Sequence, residues 1–303
     1  MDRLAKILVA IDFSPCSADA FREAARLAAR SRASLEALHV VDPSLYASIP
    51  PDPLMPVGLL VGEAREQWKS FAPGCAARAS TPLTVEVGRA RDVIAARVRE
   101  TKADLLVIGA HSDLDAKRAI GGNAAACVQY AESKVLVVRE SQSGPFRSVV
   151  ACVDFSETSR RALEQAIRIA AQDGSVLHIL HVYTDPWRGR PASAQASVDM
   201  PAFRESLGRA VEDHLRGFCE PLAHEIRALR AEFHAVLSLG HGEGIIAFVQ
   251  RHGCDLAVLG TRAKWNVRDF LWGSTAERVV RECPSSVLTL KPAGFGQGLT
   301  GAE

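Results

Sequence analysis

The sequence predicts an α/β protein built as two copies of one fold, and three observations carry that prediction. An apolar run ending on aspartate occurs twice: Lys6-Ile7-Leu8-Val9-Ala10-Ile11-Asp12-Phe13-Ser14 returns as Ser148-Val149-Val150-Ala151-Cys152-Val153-Asp154-Phe155-Ser156, 142 positions later. The order continues, since His39-Val40 returns as His181-Val182 at the same offset, and Gly109 and Gly122 return as Gly260 and Gly273 at an offset of 151. In each half, short β-branched runs alternate with helical periodicity, the pattern of a parallel sheet with crossover helices. A chain of 303 residues, 48% of them hydrophobic, can fill two such cores, because domains typically hold roughly 100 to 150 residues.

Taken in order, the first half reads as strands near Lys6 to Ile11, Leu35 to Val40, Leu83 to Val87, Leu105 to Ile108 and Lys134 to Val138. The second half repeats them near Val149 to Val153, Val176 to Val182, Glu232 to Leu237, Leu256 to Leu259 and Ser286 to Leu290. The helix after strand one has Ser14 as its N-cap and Pro15 at the first position, with Phe21, Ala24, Ala25 and Ala28 on one face. Its counterpart starts at Ser156 and buries Leu163, Ala166, Ile167 and Ala170, leaving Glu164 and Arg168 as an exposed i,i+4 pair. After strand two, each half enters a proline-rich stretch, Asp42 to Pro56 and Asp185 to Pro201, of the kind that is functional or disordered. Ser141-Gln142-Ser143-Gly144-Pro145 is a polar breaker cluster, placing one domain at residues 1–140 and a second at 146–292, with a disordered tail at 293–303.

Composition excludes several classes. A net charge of +1 without a long basic block leaves no electrostatic footprint for nucleic acid. No apolar run approaches the roughly 20 residues of a membrane span, and Met1 to Lys6 leads into the first strand without a leader-like core, so a cytoplasmic protein is expected. The seven cysteines form no Cys-x-x-Cys pair; most read as small core residues in a reducing compartment. Seven of the nine histidines lie in the second half, where His178 and His181 invite a metal reading. Three apart in a strand, they point to opposite faces, and no metal site is expected from them.

Ligands of open α/β sheets bind outside the carboxyl ends of the strands, near the switch in strand order. In the second copy Asp154 ends strand one and Val182 ends strand two. Strand four runs through Gly260 into a loop that closes at Gly273-Ser274-Thr275. A helix starting there aims N–H groups and a positive dipole end at an anion, as a phosphate site requires. No Gly-x-x-x-x-Gly-Lys-Ser/Thr occurs, which excludes a P-loop.

These residues resemble the universal stress proteins, whose nucleotide-binding members carry Gly-x-x-Gly-x(9)-Gly-Ser/Thr. The second copy reads Gly260-x-x-Ala263-x(9)-Gly273-Ser274, followed by Thr275-Ala276-Glu277-Arg278-Val279. The resemblance spans nearly the whole chain and implies a tandem member of Rossmann-like, adenine nucleotide alpha hydrolase-like fold. It implies five parallel strands per domain in the order 3-2-1-4-5, and pairing through strand five within the chain or in a homodimer. It also implies a role in stress response, with ATP, alone or with Mg²⁺, as ligand. Asp154 and Val182 then serve the adenosine end, while Gly260, Arg262, Ala263, Gly273, Ser274 and Thr275 surround ribose and phosphates. Asp12, Val40, Gly109, Gly122 and Asn123 form the weaker copy.

Departures separate the copies. Ala263 replaces the second glycine, at a cost of about 1 kcal/mol if that position needs a positive φ. The first copy has Ser112 there and Asn123 after its last glycine. Between the framing glycines, Arg262, Lys264, Arg268 and Asp269 give the second loop a net +2, whereas Asp113, Asp115, Lys117 and Arg118 give the first a net 0. A polyphosphate suits the second.

Each residue also has a reading without a ligand. Ser274 serves as an N-cap, Asp12 and Asp154 as turn residues, and His39 and His181 as structural groups, since all but the first persist in both copies. Gly240-His241-Gly242-Glu243-Gly244 reads as a loop leading into a helix from Ile245. No paired acid and base or oriented nucleophile is recognisable, so at most slow ATP hydrolysis is expected. The leading expectation is an ATP-binding regulatory protein. The alternatives are a degenerate scaffold acting through partners or self-association, and a site for an apolar ligand beside Trp187, Trp265 and Trp272.

Overall fold

The structure is a computed structural model and describes residues 4–42, 57–75, 81–111, 120–141, 144–188, 199–261 and 273–295. Two compact units divide the chain, with the main boundary between Gly144 and Pro145.

In the first unit, β1 (Lys6–Ile11) pairs in parallel with β2 (Ser34–Val41) and β4 (Leu105–Gly109). β2 also pairs with β3 (Leu83–Val87), and β4 with β5 (Lys134–Val138), so the order is 3-2-1-4-5. Ile7, Leu8 and Val9 are fully buried, as expected of a central strand covered on both faces. The crossovers are α1 (Pro15–Ser31), α2 (Val57–Gly74), α3 (Ala90–Thr101) and α4 (Gly122–Tyr130). Helix α1 starts where the sequence placed it: Ser14 accepts a hydrogen bond from Ser17 N–H and Pro15 opens the first turn. Its buried face is Phe21, Ala24, Leu27 and Ala28, with Ala25 at the margin.

The second unit repeats the plan. β6 (Ser148–Cys152) lies between β7 (Val176–Tyr183) and β9 (Leu256–Gly260), flanked by β8 (Arg230–Leu237) and β10 (Ser286–Leu290). Its helices are α5 (Glu157–Asp173), α6 (Met200–Cys219), α7 (Ala223–Arg227), α8 (His241–His252) and α9 (Ser274–Glu282). Ser156 caps α5 through Ser159 N–H, and Leu163, Ala166, Ile167 and Ala170 are buried as expected. Glu164 and Arg168 are half-buried instead of exposed.

Two boundaries differ from the sequence reading. The stretch from Asp185 ends sooner, because Asp199 caps α6 through Ala202 N–H and Pro201 sits in its first turn. Helix α8 begins at His241, four residues before Ile245, so Gly242 and Gly244 are helical. The reason is tertiary: a Cβ on Gly244 would stand 2.6 Å from Val182 Cγ1, and one on Gly242 3.2 Å from Arg278 Cβ. Glycine lets this helix lie close to β7, and packing outweighs the loop propensity of the sequence.

All seven cysteines are buried and free. Burial raises the Cys127 thiol to about 12, so it packs as a small hydrophobe. Among the described residues, no helix is long and apolar enough to cross a membrane.

Candidate functional site

The carboxyl end of the central strand is built identically in both units. Asp12 Oδ1 accepts from Ser14 N–H (3.1 Å) and Ser14 Oγ (2.6 Å). Asp154 Oδ1 accepts from Ser156 N–H (3.1 Å) and Ser156 Oγ. Each aspartate therefore fastens the residue that caps the following helix, an Asx turn feeding an N-cap. Between them, Phe13 and Phe155 sit at φ 65° and 62°, a left-handed conformation unusual for an aromatic residue. Histidine supports it: Phe13 packs on His39 and Phe155 on His181, with ring centroids 4.7 and 4.3 Å apart. The histidines are fixed through Nδ1, 2.9 Å from Ile11 O and 2.8 Å from Val153 O. Burial lowers the pKa of both below the usual histidine value, so each ring is neutral near pH 7 and donates Nδ1–H to the carbonyl.

The framing glycines have their own packing role. A Cβ on Gly260 would stand 2.8 Å from Thr158 Cγ2, and one on Gly109 3.1 Å from the backbone of Cys16. Each lets the first turn of the capped helix of its own unit rest on strand four. Beyond Gly260, Thr261 is buried and bound twice to Leu290 O, through N–H (2.8 Å) and Oγ1 (3.1 Å). Ala110 keeps only the main-chain version, N–H to Val138 O at 2.8 Å.

The helix after the loop corrects the sequence reading. Gly273 is the N-cap of α9, with no side-chain cap, and Ser274 is the first helical residue; Ser274 is not the cap. In the first unit the cap of α4 is Gly121, so Gly273 corresponds to Gly121 at an offset of 152, not to Gly122. The strands that follow agree, with Lys134 matching Ser286. Gly122 thus stands where the second copy has Ser274, Asn123 stands where it has Thr275, and the first loop is one residue shorter. The first bond within α9 runs from Glu277 N–H to Gly273 O (3.1 Å), leaving the N–H groups of Ser274, Thr275 and Ala276 without a partner inside the helix. Arg262 and Ala263 lie outside the described residues, as do Lys264, Arg268, Asp269, Ser112 and the acidic residues of the first loop.

Val182 and Val40 hold the expected positions near the ends of β7 and β2. The Val182 side chain is buried against Gly244, so what it can offer a ligand is its main chain.

A second cluster escaped the sequence reading. His178 and His181 do point apart, but His178 Nδ1 lies 3.1 Å from His234 Nε2 and 3.4 Å from Glu232 Oε2. The available signal was Glu232-x-His234, two residues of one strand face. Its meeting with His178 depends on the cross-strand register, in which His178 is opposite Glu232.

The fold and this edge define a class: a tandem α/β protein whose two units each carry five parallel strands, with an aspartate turn and a glycine-framed helix start at the carboxyl ends of those strands. The chain matches the sequence model of the Universal stress protein family twice, over residues 4–139 and 145–291, and it belongs to that family as a two-domain member. It is 26% identical over 152 residues to a universal stress protein of Methanocaldococcus jannaschii, covering 48% of this chain and 82% of that protein. A universal stress protein of Mycolicibacterium smegmatis is likewise 26% identical, over 136 residues, 45% of this chain and 91% of that one. Among solved structures, a universal stress protein of Archaeoglobus fulgidus has a TM-score of 0.63 at 18% identity, covering 94% of this chain and 98% of that one. A Pseudomonas aeruginosa protein described as a putative universal stress protein gives 0.61 at 18% identity, covering 95% and 94%. At that identity the structures share the fold.

Proposed function

We propose that the second domain binds an adenine nucleotide, ATP as its Mg²⁺ complex, as a regulatory ligand, and that the first domain is a degenerate copy. The observation that carries this reading is the opening of α9. It starts on an uncapped glycine at the carboxyl edge of its sheet and presents two hydroxyl residues, Ser274 and Thr275, in its first turn. Three N–H groups and the helix dipole favour an anion there, and the loop sequence before it carries net +2. Asp154 and Val182, at the ends of β6 and β7, serve the adenosine end. The first copy has Gly122 and Asn123 in place of the hydroxyls and a neutral loop. Regulation, with hydrolysis slow at most, is the role, and the seven buried thiols support a cytoplasmic setting.

The test is titration with Mg-ATP of the parent and of Arg262→Glu/Ser274→Ala. Loss of one hydroxyl contact and reversal of one charge should weaken binding by about 100-fold. Unchanged affinity overturns the site.

A scaffold acting through partners is the second reading. It is favoured by the structural duties of the same residues: Asp154 ties Ser156, and Gly260 makes room for Thr158. Under that reading the double variant keeps its partners and the parent binds no nucleotide.

A further inference from the structure

We propose that His178, Glu232 and His234 form a binding site for a divalent transition-metal ion, Zn²⁺ by its fit, with a fourth position open beside His252. His178 Nδ1, His234 Nε2 and Glu232 Oε2 form a triangle with edges of 3.1, 3.4 and 3.5 Å. Ligands at Zn–N and Zn–O distances of about 2.0–2.1 Å stand about 3.3 Å apart on a tetrahedron. The three edges bracket that value, so one ion is equidistant from all three atoms at ordinary bond lengths. Two imidazoles and a carboxylate with one open position is also a recurrent zinc donor set.

The competing account is a chain of hydrogen bonds between the rings and the carboxylate. Charge-assisted bonds of that kind run at about 2.7–2.9 Å, whereas Glu232 stands 3.4 and 3.5 Å from the two nitrogens. The two rings stand at hydrogen-bonding distance, 3.1 Å, but the carboxylate is nearly equidistant from both nitrogens and beyond the usual charge-assisted range of either. The surroundings are those of a built site: Phe248 walls it, with centroids 5.6 Å from His178 and 4.8 Å from His234. His252, stacked on Phe248 at 4.0 Å, stands 5.3 and 5.4 Å from the two ligand rings.

The duplicated fold supplies an internal control. By strand and helix register, the positions of His178, His234 and Phe248 are occupied in the first unit by Glu36, Thr84 and Arg97. Those three satisfy one another: Thr84 Oγ1 and Arg97 Nε each donate to Glu36 Oε1 at 2.9 Å. The first unit closes the location with an ion pair, and the second fills it with metal-ligand chemistry. An ion there ties the outer strand β8 to β7, and the inference is independent of the nucleotide reading.

Untagged full-length protein, stripped with chelator and exchanged into buffer, is titrated with ZnCl₂ and, separately, with Co²⁺ followed by visible absorption. The expected result is one ion per chain, four-coordinate Co²⁺ bands, and a rise in the thermal midpoint with Zn²⁺. His234→Gln and Glu232→Gln should each weaken binding by about ten-fold or more and cancel the rise, while His224→Gln, exposed on α7, should not. Should His234→Gln fold poorly, Glu232→Gln decides, because its side chain is 57% exposed. No saturable binding, binding unchanged in both variants, or thiolate charge-transfer bands with Co²⁺ would each overturn the proposal.

Discussion

The two domains are the same fold under different demands, and comparing them separates what the fold needs from what a ligand needs. Asp12 and Asp154 make the same Asx turn, Phe13 and Phe155 the same left-handed corner, and His39 and His181 the same ring-to-carbonyl bond. Features that recur so closely in both copies belong to the strand-to-helix connection. The copies part at Thr261 against Ala110, at Ser274-Thr275 against Gly122-Asn123, and at the His178 cluster against the Glu36–Arg97 pair. Differences, not repeats, mark the candidate ligand positions. An aspartate at the end of a strand is therefore weak support for a ligand site, however well it fits a motif.

The largest expected break comes from filling a shared glycine. Gly260→Val drives a branched side chain into Thr158, and overpacking of this kind costs about 3 kcal/mol; Thr158→Ser should recover part of the loss. Denaturant midpoints measure both, and full stability of Gly260→Val would show that this glycine serves the ligand alone.

A pH effect from a buried lysine should belong to the second domain only. Lys291 and Arg139 occupy equivalent positions after β10 and β5, each 8% exposed. Burial lowers Lys291 to about 7, whereas arginine keeps its charge. Above pH 7 the unfolded chain holds a proton on Lys291 that the folded chain has released, so stability rises with pH. Lys291 contributes a slope of about 1 kcal/mol per pH unit between pH 7 and 9, read as the difference between the parent and Lys291→Met. The difference is the quantity to measure because the buried thiols, which ionise at about pH 8.5 in the unfolded chain, act in the opposite direction. Lys291→Met should remove that rise; a parallel profile would contradict it.

Asp12→Ala and Asp154→Ala should each destabilise their own domain by about 1–2 kcal/mol, as loss of a helix-start hydrogen-bond network does. Only the second should also change nucleotide affinity. Equal effects on affinity would erase the proposed asymmetry.

The smallest effect lies at the helix ends. Helices α1 and α3 end on Arg32 and Lys102 at φ 55° and 52°, where α5 and α8 end on Gly174 and Gly253. Arg32→Gly and Lys102→Gly should each stabilise the first domain by about 0.5–1 kcal/mol. Thermal midpoints would register it.

Strand number, sheet type and the Ser14 and Ser156 caps were legible in the sequence, because each rests on local chemistry: β-branched runs, a capping hydroxyl, a proline at the first turn. The start of α8 was not, since Gly240 to Gly244 has loop propensity and becomes helical by packing on Val182. The equivalence of Gly273 with Gly121 was hidden as well: two adjacent glycines, Gly121 and Gly122, satisfy the motif equally until helix caps fix the register. The meeting of His178 with Glu232 and His234 depends on which residues of β7 and β8 stand opposite, which no single-strand pattern encodes. The buried role of Gly260 was invisible for the same reason.

The most direct test of the asymmetry is the stoichiometry of Mg-ATP on the purified chain, by calorimetry after mass spectrometry has shown it free of carried nucleotide. One nucleotide per chain, bound about 100-fold more weakly by Arg262→Glu/Ser274→Ala, is the predicted result. Two per chain, or affinity unchanged in the double variant, would contradict the division of labour between the domains.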